Sequence, residues 1–305
     1  MGKAFVYGMS VGGDNFTDRI EETKRIKLDF ENGINVILIS PKLSFSPKPN
    51  SEFSVSLGIT PKDYSPEEIL DLPERIAKEQ GVRIVVCIDE FQQIGEFSDS
   101  LTVQKRLRGV WQHHQHVSYC FFGSKKHLME NIFQSRRMPF YQFGEVLHLK
   151  CIPTEYWVPF ICSRFEKYGK KISEEYAVRI CHIVKNYSSY VQQLAWNVMA
   201  ETEIEVNEES FTEGFNALLE QNSSLFIQQT EGLTTYQLNF IRLLCNGIHS
   251  GFNTQSVVEQ YPLGSKSNVD RIKKCLIDRE LITIEKDGVF LADCVFELWF
   301  KREMM

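Results

Sequence analysis

Through the first half of the chain, short uninterrupted apolar runs alternate with segments in which apolar residues recur every three or four positions. The runs at 34–40, 82–88, 117–122 and 145–150 predict strands, and the periodic segments at 17–31, 66–79, 98–116 and 126–133 predict helices. Thr17 and the Ser65-Pro66 pair mark helix starts, and Gly33 and Gly81 mark helix stops. Strands alternating with helices at this spacing predict a parallel sheet covered by helices on both faces. Val82 to Ile88 lacks regular polar alternation, which predicts a central strand buried on both sides.

From residue 153 the pattern turns helical, with the clearest periodic pieces at 156–168, 173–184 and 187–201. After Leu233 come three helical segments, 236–246, 254–260 and 267–279. Two short apolar strands follow, 281–284 and 289–291, separated by Lys286-Asp287-Gly288. Three helices and then a hairpin is the order of a winged helix. The chain is therefore expected to divide into a sheet core over 1–150, a helical domain over 151–231 and a winged helix over 232–305. Phe296 and Trp299 are expected to seal the last against the helical domain. Residues 41–65, with clusters of Ser, Pro, Lys and Asn, predict an irregular loop or a poorly anchored hairpin.

Composition narrows the function classes. With 305 residues the chain suits two or three domains. No apolar run approaches the roughly 20 residues that span a bilayer, and no secretory leader is evident, so a cytoplasmic protein without a membrane partner is expected. The eight cysteines are scattered and never form a C-x-x-C pair, so they read as buried small hydrophobes in a reducing compartment. Lys plus Arg balance Asp plus Glu at 19 each over residues 1–150 and at 9 each over 232–305. The middle segment carries 6 against 12, and with it the whole net charge of −6. A uniformly basic nucleic-acid-binding surface is excluded, although the third helix of the winged helix carries Lys266, Arg271, Lys273, Lys274 and Arg279 against Asp270 and Asp278. That helix suits either DNA phosphates or a protein partner.

The candidate chemistry lies at the end of the 82–88 run, where Asp89 and Glu90 follow directly. Ligands of open α/β sheets gather at the carboxyl ends of such strands. A carboxylate pair there suits Mg²⁺ binding by Asp89 and activation of a water by Glu90; a strand end running into a solvated turn is the plainer reading. His113, His114 and His116 have no completing ligand at suitable spacing and read as a surface cluster at a helix end.

Several fragments, in this order, resemble the AAA-type ATPases of the archaeal ATPase family, close to the STAND branch of P-loop NTPases. Phe16-Thr-Asp-Arg19-Ile-Glu-Glu22 is similar to that family's N-terminal box, with Asp18 where Gly is usual, and Val86-Cys-Ile-Asp89-Glu90-Phe91 resembles Walker B. Phe121-Phe-Gly-Ser124 is similar to the strand end called sensor 1, and Tyr187-Ser-Ser-Tyr190-Val-Gln-Gln-Leu-Ala195 resembles the lid segment, with Ser189 where Pro is frequent. The resemblance covers most of the chain and implies a P-loop NTPase-like parallel-sheet core, a helical lid and a C-terminal winged helix. It further implies ATP and Mg²⁺ as ligands: Asp89 on the metal, Glu90 as base and Ser124 at the γ-phosphate. Phe16, Arg19 and Tyr190 would lie around the nucleotide, and Arg137, beside Arg136, where relatives place arginines that reach phosphate. An arginine pair on a loop also reads as ordinary surface.

The family's phosphate-binding element has no counterpart in the sequence. After Val36-Ile-Leu-Ile-Ser-Pro41 the pattern G-x-x-x-x-G-K-[ST] is absent, no glycine lies between Gly33 and Gly58, and Gly-Lys nowhere precedes Ser or Thr. The interval of about 40 residues to the Asp-Glu strand is too short for a P-loop helix, a second strand and its crossover. The core is therefore expected to be truncated and nucleotide handling to be impaired, leaving a winged-helix module that binds DNA or a partner protein as the alternative function.

Overall fold

A computed structural model describes residues 5, 17–39, 65–123 and 125–305. The chain forms two compact units, one from residues 6–156 and the other from 1–5 together with 157–305. The expected loop over 41–65 lies, up to residue 64, outside the described residues, as do Phe16 and Ser124.

The first unit is built on a parallel sheet of β1 (Val36–Ile39), β2 (Ile84–Ile88), β3 (Val117–Gly123) and β4 (Glu145–His148), in the order β2-β3-β1-β4 among the described residues. Three helices, α2 (Pro66–Gln80), α3 (Ser100–Trp111) and α4 (Lys126–Gln134), supply Ala77, Trp111, Met129, Ile132 and Phe133 to the core on one face. The opposite face is covered by α1 (Ile20–Glu31), whose Ile26 and Phe30 pack on Val36, Leu38 and Cys120.

The helix limits follow the local signals. Ser65 caps α2 in a reciprocal capping box with Glu68, Pro66 opens it, and Gly81 closes it in the left-handed conformation. The helix expected over 98–116 is shorter, running Ser100–Trp111 after a separate 3₁₀ turn at Phe91–Glu96.

Two expectations are corrected here. β2 is an edge strand of the described sheet and alternates half-buried with exposed positions, Val85 being 41% exposed; β3 and β1 take the central places. A continuous apolar run cannot report which neighbours a strand receives. The histidines are likewise not a simple surface cluster. The side chain of His114 is buried, with Nδ1 2.8 Å from the Tyr119 hydroxyl and Nε2 3.2 Å from Asp71 Oδ1. Burial draws the His114 pKa down, and Asp71 and Glu74 oppose it.

Beside it, Glu74 is buried and accepts from the ring Nδ1 and the backbone amide of His116, both at 2.9 Å, with Lys78 3.3 Å away. Burial alone would raise its carboxyl pKa. The His116 ring and amide, the Gln115 amide and Lys78 outweigh burial and hold it at about 2. A carboxyl depressed in the folded state stabilises fully above its unfolded pKa, and that contribution disappears as pH falls from about 4.5 toward 2. Urea midpoints measured from pH 5 to 2.5 should therefore fall less steeply in Glu74→Gln than in the parent. At neutral pH the variant should be less stable by about 1–3 kcal/mol.

The second unit opens with α5 (Thr154–Lys167), on which Phe160 and Phe165 make edge contacts with Phe5. Next come α6 (Glu174–Ile183), α7 (Ser188–Glu201) and the 23-residue α8 (Glu208–Thr230). α7 and α8 approach closely at Gly214, where a Cβ would lie 2.6 Å from Val198 N and Cα, so only glycine fits. Then follow α9 (Thr235–Cys245), α10 (Gln255–Gln260), α11 (Lys266–Asp278), the hairpin β5 (Ile282–Glu285) and β6 (Gly288–Leu291), and α12 (Cys294–Met304). Phe296 and Trp299 are buried. Trp299 Nε1 donates to Ser223 Oγ at 3.0 Å and both rings meet Phe226, so they seal the winged helix against α8 as expected. Among the described residues no helix is long and apolar enough to cross a membrane.

Candidate functional site

The sheet order defines where a ligand is expected. From β1 the chain crosses over β3 to reach β2, and from β3 it crosses over β1 to reach β4. The order therefore reverses between β1 and β3, and the carboxyl ends of strands at such a switch point are where ligands of open α/β sheets gather. Ile39 and Gly123 end those strands as register partners, and β2 runs alongside β3 and delivers Asp89 and Glu90 to the same end.

The acidic pair sits on a sharp turn. Glu90 has φ 48°, in the left-handed region that an ordinary side chain adopts only at a cost of roughly 1–2 kcal/mol. The turn stops β2 and starts the 3₁₀ segment Phe91–Glu96, anchored by buried Phe91 and Ile94. Asp89 is exposed, and its Oδ1 accepts from the Glu90 amide at 2.8 Å. Burial raises the Asp89 pKa, the Glu90 amide opposes this, and the Glu90 carboxylate adds to the rise.

Glu90 accepts a hydrogen bond from Gln92 Nε2. Gln92, 2% exposed, presses its carboxamide against Gly123, where any Cβ would collide with Oε1, and that Oε1 has no hydrogen-bond partner among the described residues. Gly123 and Gln92 thus fit each other and link the end of β3 to Glu90. The sequence offered no signal for Gln92, because the 3₁₀ turn carrying it has no periodicity of its own.

The other anticipated residues fall in different surroundings. Arg19 follows Asp18 at the start of α1, and both have positive φ, 71° and 59°. A left-handed backbone at Asp18 explains why glycine suits that position, and Asp tolerates it. The Arg19 guanidinium bonds Glu22 at 2.7 Å and the Lys150 carbonyl, tying α1 to the segment after β4. Arg137 lies exposed in the turn after α4. Tyr190 belongs to the second unit. Its hydroxyl donates to Asp293 Oδ2 at 2.6 Å, and burial followed by the Asp293 charge pushes its pKa up. Asp89 and Glu90 are therefore adjacent on one turn, Arg19 is engaged by Glu22 and the Lys150 carbonyl, and Tyr190 is engaged within its own unit.

As to cofactors, no group of three or more His, Cys, Asp or Glu residues suited to a metal ion occurs among the described residues. Asp89 and Glu90 offer an incomplete donor set for a hydrated divalent cation. The sequence supplies no glycine-rich amide nest with Lys for a triphosphate. The residues present do not fit a triphosphate in the manner of a P-loop protein.

Comparison with known proteins bears on the fold. Residues 224–302 match the family described as "Probable winged helix domain". The Walker-type ATPase PABY2304 of Pyrococcus abyssi is similar in structure, with a TM-score of 0.71 and 13% identity over 94% of this chain and 97% of that one. The Aeropyrum pernix ORC2 protein, solved as ADPNP-ADP complexes, aligns with a TM-score of 0.52 and 13% identity over 92% of this chain and 83% of its own. A search of the curated proteins finds no match. The architecture is that of a P-loop ATPase-like parallel-sheet core joined to helices and a C-terminal winged helix.

Proposed function

We propose that this chain is an ATP-binding protein of the AAA/STAND type by descent, with its nucleotide grip and turnover impaired. The observation that carries the reading is a Walker B-like Asp89-Glu90 pair at the carboxyl end of a P-loop ATPase-like sheet, in a sequence without G-x-x-x-x-G-K-[ST]. A charge-assisted hydrogen bond contributes about 1.5–3 kcal/mol, so losing several amide donors and a Lys weakens triphosphate binding by several decades. Hydrolysis suffers further, because an unfixed γ-phosphate is not held in line for attack. The pairing of Gln92 with Glu90 adds to this, since the carboxylate that would act as base is already engaged.

The test is thermal stabilisation by Mg²⁺-ATP, measured on the parent and on Asp89→Ala. Stabilisation only at millimolar nucleotide, lost in Asp89→Ala, with no phosphate release, is the expected result. Micromolar affinity or turnover abolished by Glu90→Gln would overturn the impairment. No stabilisation at any concentration would overturn the nucleotide reading.

A second reading, a non-catalytic winged-helix module acting on DNA, is favoured by the placement of the basic residues. Lys266, Arg271, Lys274 and Arg279 of α11 and its end are exposed, whereas Lys273 is paired with Asp270 at 3.0 Å. On this reading duplex DNA binds with a steep salt dependence, and Lys274→Glu weakens it more than Lys273→Glu does. A flat titration at low salt removes the DNA version and leaves a protein partner.

A further inference from the structure

Cys87 and Cys120 are exact register partners on the adjacent parallel strands β2 and β3, three positions short of the carboxyl end of β3, and both are free thiols. Register partners project to the same face of a sheet, and neighbouring strands run about 4.7–4.9 Å apart, inside the roughly 4.4–6.8 Å that a disulfide requires between Cα atoms. The pairing sets the two thiols side by side on that face. Their surroundings differ. Cys87 is exposed on β2, an edge strand of the described sheet, and Cys120 is 5% exposed in the core beneath α1.

We propose that Cys87 and Cys120 form a peroxide-sensitive dithiol, with Cys87 as the attacking thiol and Cys120 as the resolving one. The exposed sulfur meets the oxidant and the buried one lies beside it, the division of labour that a two-cysteine sensor needs.

With a hydroperoxide as oxidant, the Cys87 thiolate attacks the outer peroxide oxygen and the O–O bond breaks. The departing oxygen leaves as water or an alcohol, and Cys87 becomes a sulfenic acid. The Cys120 sulfur then attacks the Cys87 sulfur, the S–S bond forms as the S–O bond breaks, and the hydroxyl leaves as water with the Cys120 proton. Two electrons pass from the thiol pair to the peroxide. The product ties β2 to β3 two residues before Asp89, so oxidation reports directly on the strand that carries the acidic pair.

The experiment treats the full chain with one equivalent of hydrogen peroxide, blocks residual thiols with iodoacetamide and maps tryptic peptides without reduction. Residues 84–105 and 109–125 fall in separate peptides, each holding one of the two cysteines. The expected result is a single linked species joining them, reversed by dithiothreitol and formed before the other six cysteines react. Cys120→Ala should instead trap a dimedone-reactive sulfenic acid at Cys87. Over-oxidation of Cys87 in the parent without linkage, or earlier reaction of any other cysteine, overturns the proposal. Cys87→Ala, a change at an exposed position, should abolish the linked species; its persistence would also overturn the proposal.

Discussion

Replacing Phe121 by alanine should destabilise the first unit by about 3–5 kcal/mol, the range for deleting a fully buried aromatic ring. Phe121 has no exposed surface and lies at the centre of an aromatic cluster. Its ring centroid is 4.5 Å from Phe91, 5.2 Å from Phe133, 5.8 Å from Phe140 and 6.0 Å from Trp111. No neighbour can collapse into the vacated space without leaving its own contacts, so a cavity term adds to the lost transfer free energy. The adjacent Phe122 faces the other side of the sheet, half-buried against Val36 and Leu38, and Phe122→Ala should cost clearly less. Urea unfolding followed by near-ultraviolet circular dichroism checks both, and equal losses would refute the placement of the core on the Phe121 face. The consequence reaches the candidate site, because Phe91, in van der Waals contact with Phe121, anchors the turn that carries Asp89 and Glu90.

Asp293→Ala should lower stability by about 2–4 kcal/mol, from two separable losses. Asp293 Oδ1 caps α12 by accepting from the amides of Val295 and Phe296 at 2.9 and 3.2 Å, and losing such a cap costs roughly 1 kcal/mol. Its Oδ2 accepts from the Tyr190 hydroxyl, which the substitution leaves buried without that acceptor, a further cost of about 1–3 kcal/mol. A double-mutant cycle with Tyr190→Phe isolates the second loss, and a coupling energy near zero would show that the buried hydrogen bond contributes nothing. The same cycle weighs Tyr190 as a nucleotide-lid residue. If Tyr190→Phe lowers stability without nucleotide and leaves the Mg²⁺-ATP response unchanged, its work is to fasten α7 to α12. Lys185 with Glu297 at 2.9 Å and Cys294 with the Val184 carbonyl at 3.3 Å fasten the same two regions.

The strand and helix succession was legible because burial imposes periodicity, and each feature that departs from it depends on neighbours distant in sequence. The capped start of α2 at Ser65-Pro66, its stop at Gly81 and the three-helix-plus-hairpin order of the winged helix are local patterns, and they appear where the residues put them. The acidic pair at the end of β2 is of the same kind, since a strand that ends in two carboxylates shows in a single reading of residues 82–90. Four features were not legible: the edge position of β2 in the described sheet, the burial of His114 against Tyr119 and Asp71, the Gln92 carboxamide seated on Gly123, and the register pairing of Cys87 with Cys120. Each joins residues between 5 and 43 positions apart, or depends on which strand lies alongside.

By itself, then, the sequence determined the class of fold, the place of the Asp89-Glu90 pair and the absence of a phosphate-binding loop motif, because all three are written in adjacent residues. Only the tertiary structure decided the strand order, which puts the switch point between β1 and β3, makes β2 an edge strand of the described sheet and pairs Cys87 with Cys120. Pairing in a parallel sheet is chosen by packing across long crossovers, and no local pattern encodes that choice.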